Sequence, residues 1–544
     1  MAKIDGSTLV VKALRDEGVD AVFYLAGGPM LDVASRCKET GIRLIDCRHE
    51  QAAAMAAHAY SRVSGRHGVC FACSGPGTTN LITGVGNAYL DAAPVVALGG
   101  ASPISQEGMG AFQEMDQVGM FKPITKWAER VKHIERIPEL MNKAFRIAAG
   151  GQPGPVYLDL PSDVIYRLVE EKDVRFPDKP HKIPRIAADP ELVKNAVKLL
   201  KEAQRPIILT GTGVFWSGAM AELREFVELT HIPFYTTPQG RGVIPEDHEL
   251  CFPGARSRAF KEADVVLVIG TRFNFIIGYG MPPRFAADVK FIQIDISAPE
   301  IGRNRPVHIG IVGDAGTVLH QLIREGRDTV LKRDALPWID VLRGYHSRSQ
   351  EKTEKIMNAD SSPMHPLRLC KAVGEFMDRD AVIVVDGHEI LNFARQSIPT
   401  HVPGHRINAG PNGCMGVAVP FGLGAKAAKP DTQVIALSGD GSFGMNGMEI
   451  DTMVRHNIPV IVMICNNGGW AAEGAMDVGR DLGFSRYDKM AEVFGAHGEY
   501  VEKFEDIRPA LERAAASGKP AVINVIVDPK ARSSTQPFVD YKAI

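Results

Sequence analysis

The chain has 544 residues, 45% of them hydrophobic and 23% charged, with a formal net charge of −2. That length calls for more than one core, and three domains of ordinary size fit. The near-neutral balance excludes an electrostatic case for nucleic acid or an acidic membrane surface, and no apolar run reaches bilayer length.

From the N-terminus, helix-like and strand-like patterns alternate over residues 5–165. A helix is expected over residues 8–17 and strands over 21–25, 42–47 and 68–73. The first residues lack a signal-peptide core and the last four are not a peroxisomal tripeptide, so a cytoplasmic setting is expected. Cys70 and Cys73 form a CxxC, but inside an apolar strand with no second pair nearby. That argues against zinc and for buried free thiols. Gly27-Gly28-Pro29 ends the second predicted element. Arg48-His49-Glu50-Gln51-Ala52 opens a small-residue helix over residues 52–60 with room for close packing. A glutamate there is also what the helix dipole favours with no further role. Gly110-Ala111-Phe112-Gln113-Glu114 follows a loop.

A charged, proline-bearing linker spans residues 170–190 and a polar one with helical pieces spans 324–366. Between them lie strands over 206–209, 263–270 and 291–296. Their turns are Gly211-Thr212-Gly213, Gly270-Thr271-Arg272 and Asp295-Ile296. A third block starts with a strand over 381–385, followed by Gly387 and His388, and carries Met415 in a glycine-flanked turn. A strand over 433–437 then runs into Gly439-Asp440-Gly441-Ser442. A helix-like stretch over 446–456 follows, and a strand over 459–465 ends on Asn466-Asn467. This is a βαβ unit, so Asp440 and Asn467 are expected side by side at the carboxyl ends of parallel strands. Gly439, Gly441 and Gly444 also spell GxGxxG, but a carboxylate beside a pyrophosphate repels it unless a cation intervenes. Mg²⁺ bridging Asp440, Asn467 and phosphate oxygens removes the conflict, with turn amides supplying further anion contacts.

In order and spacing these motifs resemble the thiamine-diphosphate enzymes of the acetolactate synthase, benzoylformate decarboxylase and oxalyl-CoA decarboxylase superfamily. The resemblance implies an α/β protein of three doubly wound parallel-sheet domains. These are a pyrimidine-binding domain (1–167), a central nucleotide-binding-like domain (190–330) and a diphosphate-binding domain (366–530). A tail (531–544) is a candidate active-site lid. It further implies Mg²⁺ held by Asp440, Asn467 and the carbonyl of Gly469. The cofactor would meet Gly387, His388, Gly439, Gly441 and Ser442, with Met415 as the wedge beneath its bend and Glu50 at N1′ of its pyrimidine. The family's usual residues differ at Gly387-His388. The family's cofactor spans two subunits, so a homodimer at minimum, and commonly a homotetramer, is implied.

Phe112-Gln113 looks like the pocket segment of 2-hydroxyacyl-CoA lyases, where oxalyl-CoA decarboxylases carry Tyr-Glu. By that resemblance Gln113 donates to a developing oxyanion, and Gly28, Phe112 and Trp470 line the pocket. The chain departs at Gly28-Pro29, where Ile-Pro is usual, and lacks the relatives' tyrosine-bearing segment after Asn467. Glu473 is there instead, a candidate base for a substrate hydroxyl. Gly211, Gly213, Arg272, Asp295 and Ile296 resemble an ADP site. The implied activity is cleavage of a 2-hydroxyacyl-CoA to formyl-CoA and an aldehyde or ketone, reversible as a condensation. Oxalyl-CoA decarboxylation and carboligation of free 2-keto acids are the alternatives within the family. A non-catalytic nucleotide-sensing scaffold is the alternative outside it.

Overall fold

A computed structural model describes residues 3–177, 183–328, 337–470 and 478–533. Three parallel sheets organise them, as the alternating patterns lead one to expect. The first runs Arg43–Asp46, Ala21–Tyr24, Gly68–Ala72, Val95–Ala101, Val156–Pro161, Trp127–Arg130. The last runs Arg406–Ile407, Val382–Asp386, Val434–Gly439, Ile461–Asn466, Ala521–Ile526, His497–Val501. Relative to chain order the two are wired identically. The central sheet has five strands: Phe234–Thr236, Pro206–Thr210, Val265–Ile269, Lys290–Asp295, Ile309–Val312. One antiparallel ribbon, Lys3–Asp5 with Leu168–Glu170, lies outside the expected scheme.

The strands are near-continuous apolar runs because helices cover both faces of each sheet. Val382–Asp386 and Val265–Ile269 are buried at every position. In each sheet the second strand in sequence leaves on one side of the first, and the third lands on the other side. The resulting crevice, at the carboxyl ends, is where open α/β sheets take ligands.

The helix expected over 52–60 spans Glu50–Ser64. His49 caps it, Nδ1 accepting from the Gln51 N–H at 3.1 Å, and it stops at Gly65 with φ 70°. The helix expected over 446–456 spans Glu449–Arg455, and the glycine turn expected before it opens a further helix, Asp440–Asn446. They part around Gly447, where an added Cβ would meet the Phe443 ring at 2.9 Å. The second linker contains one long helix, Pro337–Met357.

Helix Glu50–Ser64 lies on helix Ala418–Ala428, and alanines and glycines let the backbones approach. A Cβ on Gly424 would fall 2.1 Å from the Ala56 carbonyl oxygen. Fully buried Arg62 ties the three domains together. Its guanidinium donates to the Gln239 carbonyl at 2.7 Å, lies 3.6 Å from Asp91 and sits over the Phe215 and Trp216 rings. Asp91 meets His58 at 2.9 Å and accepts from Gln239, whose amide also reaches the Asn408 carbonyl at 3.1 Å. Among the described residues no helix is long and apolar enough to cross a membrane.

Candidate functional site

The last sheet builds the clearest site. Strands Val434–Gly439 and Ile461–Asn466 pair in parallel with Gly439 opposite Cys465, so the turns carrying Asp440 and Asn467 leave side by side. The Asn467 side-chain oxygen faces Asp440 Oδ1 at 3.0 Å and the Gly469 carbonyl at 2.8 Å. Three oxygens thus converge with no proton between them. Turning the amide would let its nitrogen donate to both. A cation satisfies the same atoms as they stand, since adjacent ligands of an octahedral Mg²⁺ lie about 2.9 Å apart. The second Asp440 oxygen and the Ser442 hydroxyl are buried without partners, which the amide turn would leave unchanged. Burial pushes the Asp440 carboxyl up to about 6. No cluster of three or more His, Cys, Asp or Glu suited to a metal occurs among the described residues. This set is one carboxylate, one amide and one peptide oxygen, a hard-cation combination.

Around it, Gly387 adopts φ +116°, and a Cβ there would lie 3.3 Å from the Gly439 nitrogen. Gly441 lies flat against Trp470, whose indole would meet an added Cβ at 2.8 Å. His388 is exposed, and its hydrogen-bonding contact with Glu389 at 3.4 Å raises its pKa. Met415 is half-buried, followed by Gly416 at φ +83° against Met445 and Asn446. Sequence reading passed over Asp386, at the end of its strand. Burial pushes it up to about 6, and it accepts from the Ala418 N–H at 2.9 Å, fixing the turn that bears Met415. Glu473 and residues 534–544 of the tail lie outside the described residues.

The first sheet gathers a second group around residues 73–80. Glu50 is buried; Asn80 donates to its Oε2 at 2.9 Å, and Gly77 leaves room for its Oε1, 3.1 Å from where a Cβ would stand. Gln113 sits at φ +59°, and its Oε1 accepts from the Ser74 hydroxyl at 2.5 Å. Gly28 has open space around it, and Phe112 is 85% exposed. Glu50 and Gln113 therefore touch one loop. That group reaches the last domain through the Arg48 and His49 N–H groups, which donate to buried Glu449 at 3.0 and 3.1 Å.

The central crevice opens into a cavity of about 570 Å³ shared with the first domain. Gly213, Arg272, Asp295 and Ile296 line it. Gly211 lies beneath, packed on Gly270 and Thr271. Burial pushes Asp295 up to about 6, and Arg272 donates to the Leu90 carbonyl at 2.5 Å.

Sequence reading also missed a group of arginines between the central and last domains, because they are far apart in the chain. Arg241 donates to Glu246 at 2.6 Å and to the Ile398 carbonyl at 2.9 Å; Arg406 reaches the same carbonyl at 3.2 Å. Arg256 rests on the Phe260 ring at 4.5 Å, with Nε and one terminal nitrogen buried and unpartnered. Burial, with Arg284 and Arg395 nearby, holds it down to about 9. Burial, then Arg241 and Arg284, hold Arg395 down to about 10.

Three family models match the chain. They are the thiamine pyrophosphate (diphosphate) enzyme N-terminal TPP binding domain over residues 4–120, the central domain over 193–322 and the C-terminal TPP binding domain over 390–525. A probable acetolactate synthase of Mycobacterium bovis is 36% identical over 533 residues, covering 96% of this chain and 95% of the relative. 2-Hydroxyacyl-CoA lyase 1 of Mus musculus is 34% identical over 558 residues, covering 98% and 96%. Oxalyl-CoA decarboxylase of Escherichia coli (strain K12) is 33% identical over 541 residues, covering 97% and 95%.

Proposed function

The chain belongs to the thiamine pyrophosphate enzyme family, and from that premise we propose that it is a carbon–carbon lyase acting on a 2-hydroxyacyl-CoA. The products are formyl-CoA and an aldehyde or ketone. The observation that carries this choice is the state of Gln113. Ser74 occupies its Oε1, so the group it offers a substrate is an uncharged N–H donor. Such a donor suits the oxygen of a thioester carbonyl as charge gathers there.

In this reading Asp440, Asn467 and the Gly469 carbonyl hold Mg²⁺. Gly387, His388, Gly439, Gly441 and Ser442 surround the diphosphate, and Met415 supports the bend. Glu50, kept buried and oriented by Asn80, bonds the pyrimidine N1′. Thiamine diphosphate supplies a nucleophilic carbon and an electron sink when bound. The bond between the thioester carbonyl carbon and the hydroxyl-bearing carbon breaks with its electron pair on the carbonyl side. The hydroxyl proton leaves to a base, for which Glu473 is the candidate. The carbonyl carbon is then protonated and departs as formyl-CoA. Gly28, Phe112 and Trp470 shape the pocket.

A homodimer is the proposed minimum assembly. For the central cavity the ADP reading stands as a proposal, supported by four of its five residues meeting there. Separate incubations with a 2-hydroxyacyl-CoA, oxalyl-CoA and pyruvate test the activity. Formyl-CoA with an aldehyde or ketone is expected from the first alone. CO₂ from oxalyl-CoA, or acetolactate from pyruvate, would overturn the assignment.

A further inference from the structure

The loop over residues 73–80 touches both Gln113 and Glu50, and one buried amide holds it. Gln117 is 1% exposed. Its Oε1 accepts from the Gly75 N–H at 2.7 Å. Its Nε2 faces the Gly100 carbonyl at 2.9 Å, the Tyr157 hydroxyl at 3.0 Å and Asp159 Oδ1 at 2.6 Å. Tyr157 donates to Asp159 at 2.6 Å, Arg130 Nε donates to its other oxygen at 2.6 Å, and Phe121 stacks on the Tyr157 ring at 4.0 Å. The Gln117 amide is thus spent on the protein. The loop it anchors is tightly specified, since Gly75 sits at φ +61° and a Cβ there would lie 2.7 Å from the Gln113 Cβ. One residue before it, Ser74 fixes the Gln113 amide; Gly77 and Asn80 meet Glu50.

We propose that Gln117 is a positioning residue that sets, through the Gly75 amide, where Glu50 and Gln113 stand relative to each other. It thereby couples activation of the cofactor to recognition of the substrate. The inference rests on the roles given above to those two residues. A misplacement of about 1 Å is enough to cost about a hundredfold in rate.

Gln117→Glu keeps an acceptor for the Gly75 N–H but sets a carboxylate against Asp159, whose carboxyl burial already pushes up. Adding Asp159→Asn in the same chain restores a donor opposite an acceptor at that contact, while the Gly100 carbonyl still faces a carboxylate. The expected result for Gln117→Glu is a kcat lowered about tenfold to a hundredfold. Weaker binding of thiamine diphosphate with Mg²⁺ in a tryptophan-fluorescence titration, and faster hydrogen exchange over residues 73–80, should accompany it. The double variant should recover part of the loss in all three. Unchanged kcat and cofactor affinity in the single variant, or a double variant no better than the single, would overturn the proposal. Ser74→Ala serves where Gln117→Glu does not fold: it should raise KM for the CoA ester and, through the shared loop, weaken cofactor binding, and an unchanged cofactor affinity would count against the coupling. A wild-type protein that cleaves no 2-hydroxyacyl-CoA would defeat the functional assignment instead, while the titration and exchange arms still decide the Glu50 half.

Discussion

Individual side chains make the sharpest predictions. Replacing Glu50 with Gln keeps the shape and the Asn80 contact but removes the charge. Turnover should fall at least about a hundredfold, on the scale of lost acid–base catalysis, while a cofactor titration still shows binding; surviving turnover would contradict its role. Gly441→Ala puts a methyl into the Trp470 indole, with 2.8 Å between them. The variant should fold and lose cofactor affinity, read by the same titration. Asp440 and Asn467 were legible because the glycine turn and the asparagine pair fall at the ends of two buried runs. The Gly469 carbonyl was not legible from physics alone, because any residue has a carbonyl and only the family pattern picked it out. The arginines left no sequence signal, since nothing local distinguishes them from surface residues.

At the scale of elements, strands were easier to read than helices. Val434–Gly439 and Ile461–Asn466 are apolar because both sheet faces are covered, and that shows in one line of sequence. The helix Asp440–Asn446 does not, because its glycines read as a turn; packing of Gly447 against Phe443 accompanies its end. The close contact between helices Glu50–Ser64 and Ala418–Ala428 was legible only as a run of small residues. Its consequence is testable. Gly424→Val should destabilise the protein strongly, because the side chain would overlap the Ala56 carbonyl, which lies 2.1 Å from even the first carbon. Overpacking typically costs about 1–3 kcal/mol and a backbone clash more, so a lowered thermal midpoint is the expected readout.

For the molecule as a whole, the Arg62–Asp91 group is the joint to probe. Burial raises the Asp91 carboxyl, but Arg62 and His58 overcome this and leave it below its ordinary 3.8. Its contribution is therefore complete above that value and fades as pH falls through the lower, folded-state value. Arg62→Met strands a buried carboxylate, a loss of about 3–5 kcal/mol. The variant should melt earlier at neutral pH, and acid should bring its midpoint closer to that of the wild type. Sedimentation should find a dimer or larger, since Met109, Phe112 and Met115 in the first domain and Met445 and Met448 in the last are exposed. Adding ADP should raise the melting temperature if the central cavity takes it.

The identical wiring of the first and last sheets has a consequence for how damage spreads. Helices Glu50–Ser64 and Ala418–Ala428 are counterparts, each crossing from the second strand of its sheet to the third, and they lie against each other inside a single polypeptide. Glu50 and Met415 stand near matching ends of this pair. A disturbance at that contact therefore reaches the ends that carry Glu50 and Met415 together, so defects there should touch both of the roles proposed for them.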